Sequence, residues 1–268
     1  MNRTLEDFNN RLMNGFDFCK KTYGLFEDIR RSTNGIERLR LRKGKLEKKL
    51  IEELLPIARY IQARYSHGRQ IKVRWIGGSQ SYDARLLSSG VLVDNCLAPR
   101  RHYVEVTTAV HENNYISRHL INKQVPMFGV KGIQKDPQTN NYISRPYVYT
   151  NHELSEDLAG KILERIKAKN KIEYPKSTTL IVQCFLDTLF LESEWEYAIQ
   201  KVKSSEVEHR FYEIFLFDSN HHYSTTLHGN KKKRNIKSSR TSHSMGFGGK
   251  LHRLPLSFVD APKNRSLG

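Results

Sequence analysis

The chain is 268 residues long and carries a formal net charge of +17, from 45 Lys and Arg against 28 Asp and Glu. Its three cysteines (Cys19, Cys96, Cys184) are unclustered and include no CxxC, which argues against a disulfide framework or a zinc ribbon and predicts a reduced, cytoplasmic protein. No apolar run approaches the roughly 20 residues of a membrane span, and the polar start MNRTLEDFNN does not resemble a signal peptide, so no membrane partner is expected.

The basic charge is unevenly placed. Residues 30–49 hold nine basic and two acidic side chains, and residues 227–268 hold ten and one, whereas residues 50–226 are nearly neutral. Two basic flanks around a neutral body favour a polyanionic partner, most often nucleic acid. The candidates for holding its backbone are Arg40, Arg42, Lys43 and Lys45 in the first flank, and Lys231, Lys232, Lys233 and Arg234 in the second.

In chain order, Leu5, Phe8, Leu12, Phe16 and Cys19 recur at three- and four-residue steps and predict a helix over 4–31. Asn34-Gly35 marks a turn. A second helical stripe (Leu39, Leu46, Leu50, Leu54, Ala58, Ile61) runs over 36–64, with a break expected near Gly44 or Pro56. At 100° per residue Glu47 falls inside that stripe and Glu53 at its edge, while Glu52 points outward. Three segments follow with strand periodicity: IKVRWIGG from Ile71, YDARL from Tyr82 and HYVEVTTAV from His102. They predict an antiparallel meander with Asp83 on its second strand and Glu105 on its third.

Residues 111–150 are rich in Asn, Gly, Pro and Gln and predict a long loop, of the kind that is often functional or mobile, with a short helix around Tyr115–Lys123. A helix over 153–171 has acids in its first turns and lysines in its last, with Ser155 or Asn151 as its cap, and Pro175 stops it. TTLIVQCFL (Thr178–Leu186) reads as a strand buried on both faces, Glu192–Lys203 as an amphipathic helix and Phe211–Phe217 as another strand. A strand, a helix and a buried strand in succession imply a crossover between parallel neighbours. The fold expected is α/β with a mixed central sheet. Its parts are a helical N-terminal extension (1–44), an α/β domain (45–226) and a basic flexible tail (227–268).

Carboxylates inside strand-forming runs need a partner. Asp83 in Tyr82-Asp83-Ala84, Glu105 in Tyr103-Val104-Glu105-Val106-Thr107, and the order α-β-β-β-α-β together resemble the PD-(D/E)XK nuclease superfamily, the restriction-endonuclease-like fold. The resemblance covers roughly Leu46 to Phe217. It implies that Asp83 and Glu105 bind a divalent metal, Mg²⁺ or Mn²⁺, with the backbone carbonyl of Val106 as a further ligand and Glu53 or Glu47 joining from the first helix. It also implies DNA as the substrate, and a homodimer where both strands are cut. Independently of the family, hard carboxylate oxygens suit Mg²⁺, and a cation resolves the repulsion between two close carboxylates.

The chain departs from the motif at Thr107, which stands where the family has its lysine, and at Tyr82, which stands where it has proline. Lys123, Lys161 and Gln183 are the sequence candidates to compensate. His111, His119, His221 and His222 lack zinc-ligand spacing, and Cys184 reads as core. Two other readings fit the sequence. One is a non-catalytic nucleic-acid-binding protein that retains the fold, and the other is a protein-interaction subunit whose basic ends meet an acidic partner.

Overall fold

The structure is a computed structural model and describes residues 4–185, 191–220 and 222–228. Seven strands form one mixed sheet in the order β1-β2-β3-β4-β7-β8-β9. The first four are β1 (Leu12–Asn14), β2 (Gln70–Trp75), β3 (Ala84–Ser89) and β4 (Arg101–Ala109), all antiparallel neighbours. A small separate hairpin pairs β5 (Ile133–Lys135) with β6 (Tyr142–Ser144). β7 (Thr178–Cys184) runs parallel to β4, β8 (Glu213–Asp218) runs parallel to β7, and β9 (Ser224–His228) turns back on β8. The architecture is α/β with a mixed sheet, as the sequence predicts.

Alternation along the strands gives each helical layer its own core. Val73, Leu86, Val104, Val106, Ile181 and Phe215 face α1 (Gly15–Arg31), a π turn (Leu50–Leu54) and α4 (Leu55–Arg64). Leu180, Val182, Ile214 and Leu216 face α7 (Asn151–Asn170) and α8 (Glu192–Ser204). α7 starts at Thr150, whose hydroxyl accepts from the Glu153 amide while the Glu153 carboxylate accepts from Thr150 N, closing a capping box. Thr150 therefore caps it, rather than Ser155 or Asn151. Every residue of β7 is buried, as its unbroken apolar and β-branched run requires.

Two expectations are corrected at the N-terminus. The helix predicted over 4–31 begins only at Gly15, because Asn10 takes a left-handed conformation (φ 56°) and Asn14 caps the helix by accepting from the Phe16 amide at 2.9 Å. The three- and four-residue spacing of Leu5, Phe8 and Leu12 instead spans a 3₁₀ turn and the edge strand β1. Nor is 1–44 an extension: β1 pairs with β2, and Phe8, Phe18, Leu25 and Ile29 lie in the same core as α4 and the sheet. At Gly15 a Cβ would stand 3.0 Å from the Ile71 carbonyl oxygen and 2.9 Å from the Ile61 side chain, so a glycine allows α1 to meet β2. At the other boundary, Leu227 and His228 belong to β9, and residues 229–268 of the expected flexible tail lie outside the described residues.

The stripe over 36–64 divides into α2 (Gly35–Leu41), α3 (Lys45–Lys49), the π turn and α4. Gly44 separates α2 from α3, and Pro56, with no amide to donate, sits in the first turn of α4 directly after the π turn. In the π turn the Leu55 amide donates to Leu50 O, five residues back, and the extra residue rotates the side chains before Pro56 relative to those after it. Because α1 is structural, Phe18→Ala should lower the free energy of unfolding by about 3–5 kcal/mol in urea titrations, and a chain starting at Lys45 should show no cooperative transition. An unchanged midpoint would mean that the first 44 residues are separable.

Candidate functional site

β3 begins at Ala84, opposite Val104, so the second half of β4 runs beyond the end of its neighbour. Asp83 lies one residue before the strand on which the sequence placed it. Its backbone is nevertheless fixed, since Asp83 N donates to Val104 O at 2.8 Å and Ile76 N donates to Asp83 O at 2.9 Å. Its carboxylate takes the place of the missing strand: Asp83 Oδ2 accepts from Val106 N at 2.8 Å, which holds it in the plane of the sheet.

Two further acids approach from opposite faces. Glu105 alternates with Val104 and Val106, so it faces α7, where Lys169 Nζ donates to its Oε1 at 2.5 Å. Glu53, in the π turn on the other face, accepts from Trp75 Nε1 at 3.0 Å and pairs with Lys49. Burial is the largest influence on Asp83 and, with the charges of Glu53 and Glu105, pushes its pKa up to about 7. Burial also raises Glu105 above the usual carboxylate value, even though Lys169 opposes the rise. Tyr174 is raised by burial and by the charges of Glu105 and Asp83, and its buried hydroxyl has no hydrogen-bond partner of normal geometry. Three mutually repelling acids are thus held beside two lysines.

Comparison with family models, with curated proteins and with solved structures gives no match. The site has to be read from its own geometry.

Among the described residues, no three His, Cys, Asp or Glu side chains stand close enough together to enclose a metal ion as they are placed. The donor chemistry suits a hard divalent cation, because Mg²⁺ keeps most of its waters and needs only one or two carboxylates. The residues positioned to supply them are Asp83 and Glu105, and the Val106 backbone lies between them, past the last β3–β4 pair. In the arrangement described, Lys169 and Lys49 supply the neutralising charge.

The other predicted residues are distributed as follows. Thr107 shares a face with Glu105 and is half-buried. Glu47 is buried on Arg38, whose Nε and Nη2 donate to it at 2.8 and 2.5 Å, so of the two first-helix candidates Glu53 is the one at the site. Gln183 alternates with Val182 on β7 and so points away from Glu105, with its Oε1 unpartnered. Among the basic candidates, Lys43 and Lys45 are exposed, and Arg40 donates to Asn122 Oδ1 at 3.2 Å. Arg42 turns inward over the Phe185 ring, its Nη1 3.4 Å from Glu52, so it is not the solvated phosphate contact its sequence position suggests. Lys231 to Arg234 lie outside the described residues.

Lys169 is the site residue missed by sequence reasoning, which assigned it to the helix dipole. Its signal was present, because it continues the inward stripe Leu158, Ile162, Ile166 at the next three-residue step. A lysine on the buried stripe of a helix needs a counter-charge, and Glu105 supplies it.

The raised pKa of Asp83 has a consequence for stability. The folded state holds its proton more tightly than the unfolded chain, so the cost of ionising it is absent below about pH 4 and complete above about pH 7. Asp83→Asn, which can still accept from Val106 N, should therefore be more stable than the parent at pH 8, by on the order of 3 kcal/mol, and indistinguishable from it near pH 4. Thermal melts of both proteins across that range check this, and a pH-independent difference would remove the electrostatic account of the site.

Proposed function

We propose that this protein is a metal-dependent endonuclease that hydrolyses DNA phosphodiester bonds, with Mg²⁺ or Mn²⁺ taken up at Asp83 and Glu105. The reading rests on one observation above others: near the end of β3 an in-plane carboxylate is approached by two more from opposite faces, with a lysine seated on Glu105. A divalent ion there would supply Lewis acidity toward a phosphate oxygen and a water of lowered pKa.

The chain's own groups have separable tasks in this reading. Asp83 and Glu105 bind the cation and orient its waters, and Val106 N holds Asp83 in place. Lys169 provides the positive charge that the family motif would place at Thr107. Its ammonium donates to Glu105 and would there oppose charge developing on a non-bridging phosphate oxygen. Trp75 and Lys49 fix Glu53, which keeps the local charge negative enough to attract the cation.

A second reading has its own support. Lysines already occupy oxygens of both Glu105 and Glu53, as in a purely structural ion-pair cluster. On that reading the protein binds nucleic acid without cutting it. Supercoiled plasmid incubated with Mg²⁺ or Mn²⁺ separates the two. Nicking should appear, stop with EDTA, and fall at least ~10²-fold in Asp83→Asn, Glu105→Gln and Lys169→Met while DNA retention persists. Binding without nicking at any metal concentration favours the second reading, and nicking that persists in both acid variants rules out this site.

A further inference from the structure

The sheet is covered unevenly. Under α1 and α4, β2, β3 and β4 bury Ile71, Val73, Trp75, Ala84, Leu86 and Val104. Among the described residues, the core beneath α7 and α8, on the opposite face, takes none from β1, β2 or β3. On that face β2 and β3 carry Lys72, which is exposed, and Arg74 and Arg85, which are half-buried.

Strand register arranges them in rows. Leu12, Arg74, Arg85 and Tyr103 lie directly opposite one another across β1, β2, β3 and β4. Asn14, Lys72, Leu87 and Arg101 form the next row. Among the described residues, none of Lys72, Arg74, Arg85 and Arg101 has an acidic partner, and Arg85 Nε is buried without a hydrogen bond. Like charges directly opposite across an antiparallel pair are destabilising, yet the Arg74–Arg85 pair is unrelieved. Such an arrangement leaves positive charge on this face that an external anion would relieve.

Its position indicates which anion. Glu105 is two residues further along β4 from Tyr103 on the same face, a step of about 7 Å, and Asp83 stands two residues before Arg85, just outside β3, with its carboxylate in the plane of the sheet. Tyr103 ends the arginine row, and its ring stands 4.7 Å from that of Tyr82, edge to face. A basic row ending in a tyrosine pair beside a carboxylate cluster matches a phosphate backbone approaching the bond to be cut.

We infer that the open face of β1–β4 is the surface along which the phosphate backbone of DNA lies, with Arg74 and Arg85 holding phosphates next to the one at Asp83 and Glu105. This rests on the proposed nuclease reading for what happens at the acids, but not for the binding itself.

The test is fluorescence anisotropy with a labelled DNA duplex in EDTA, over a range of salt concentrations. Arg74→Gln combined with Arg85→Gln should raise Kd about tenfold or more and reduce the slope of log K against log salt by roughly two. Arg74→Glu sets opposite charges across the pair, so its Tm should hold or rise while DNA affinity falls, which separates binding from folding. Salt-sensitive binding that depends on Arg74 and Arg85, without cleavage under any metal, supports the surface and defeats only the nuclease reading. Asp83-dependent plasmid cutting with binding indifferent to both arginines overturns the surface and leaves the nuclease. Loss of binding in Lys43→Gln/Lys45→Gln with none in the arginine variants also overturns it, as does retention on acidic phospholipid vesicles without affinity for DNA.

Discussion

A single hydrogen bond, from the Val106 amide to the Asp83 carboxylate, organises the candidate site. β3 stops one residue short of continuing its ladder, and the amide left on β4 has to be satisfied by something. A carboxylate does this and is thereby held at the sheet's edge, where Glu53 and Glu105 reach it from opposite faces. A neutral partner would satisfy Val106 equally well, so placing an acid there, beside two others, spends stability on a concentration of negative charge.

The energetic contrast with another buried acid is instructive. Glu213 on β8 accepts from Tyr60 Oη at 2.5 Å and from Arg64 Nη2 at 3.1 Å. Burial alone would raise its pKa, but Arg64 and Tyr60 outweigh it and hold Glu213 below the usual value. It is a satisfied structural acid that ties α4 to the sheet, and Arg64 extends the tie to Thr226 on β9 at 2.6 Å. Asp83 has the opposite balance, since burial and the charges of Glu53 and Glu105 outweigh Lys49 and the hydrogen bond that its carboxylate accepts from the Val106 amide. Two buried carboxylates in one sheet thus differ in whether their surroundings favour the ionised form or oppose it.

The same asymmetry appears at the level of layers. Where helices cover both faces, at β7 and β8, the strands are apolar throughout and carry their polar groups at the ends. Where one face is open, at β2 and β3, it carries unpaired lysine and arginine beside the acidic cluster.

Much of this was determined by local pattern. Period-two alternation located the meander, the unbroken run TTLIVQC located a strand buried on both sides, and the α7 and α8 stripes placed two helices over the second core. Asp83 and Glu105 were legible because carboxylates are out of place in such runs. What only tertiary structure decided depends on pairing between distant segments. The spacing of Leu5, Phe8 and Leu12 is equally compatible with a helix or with a turn and an edge strand that feed one core, and Asn10 and Asn14 resolved it. The choice of Glu53 over Glu47 depended on a π turn that no 100° wheel anticipates, and the arrival of Lys169 at Glu105 depended on how the crossover helix lies over β4. The row of arginines appears only once β2 and β3 are in register, because cross-strand neighbours are set by pairing rather than by sequence distance.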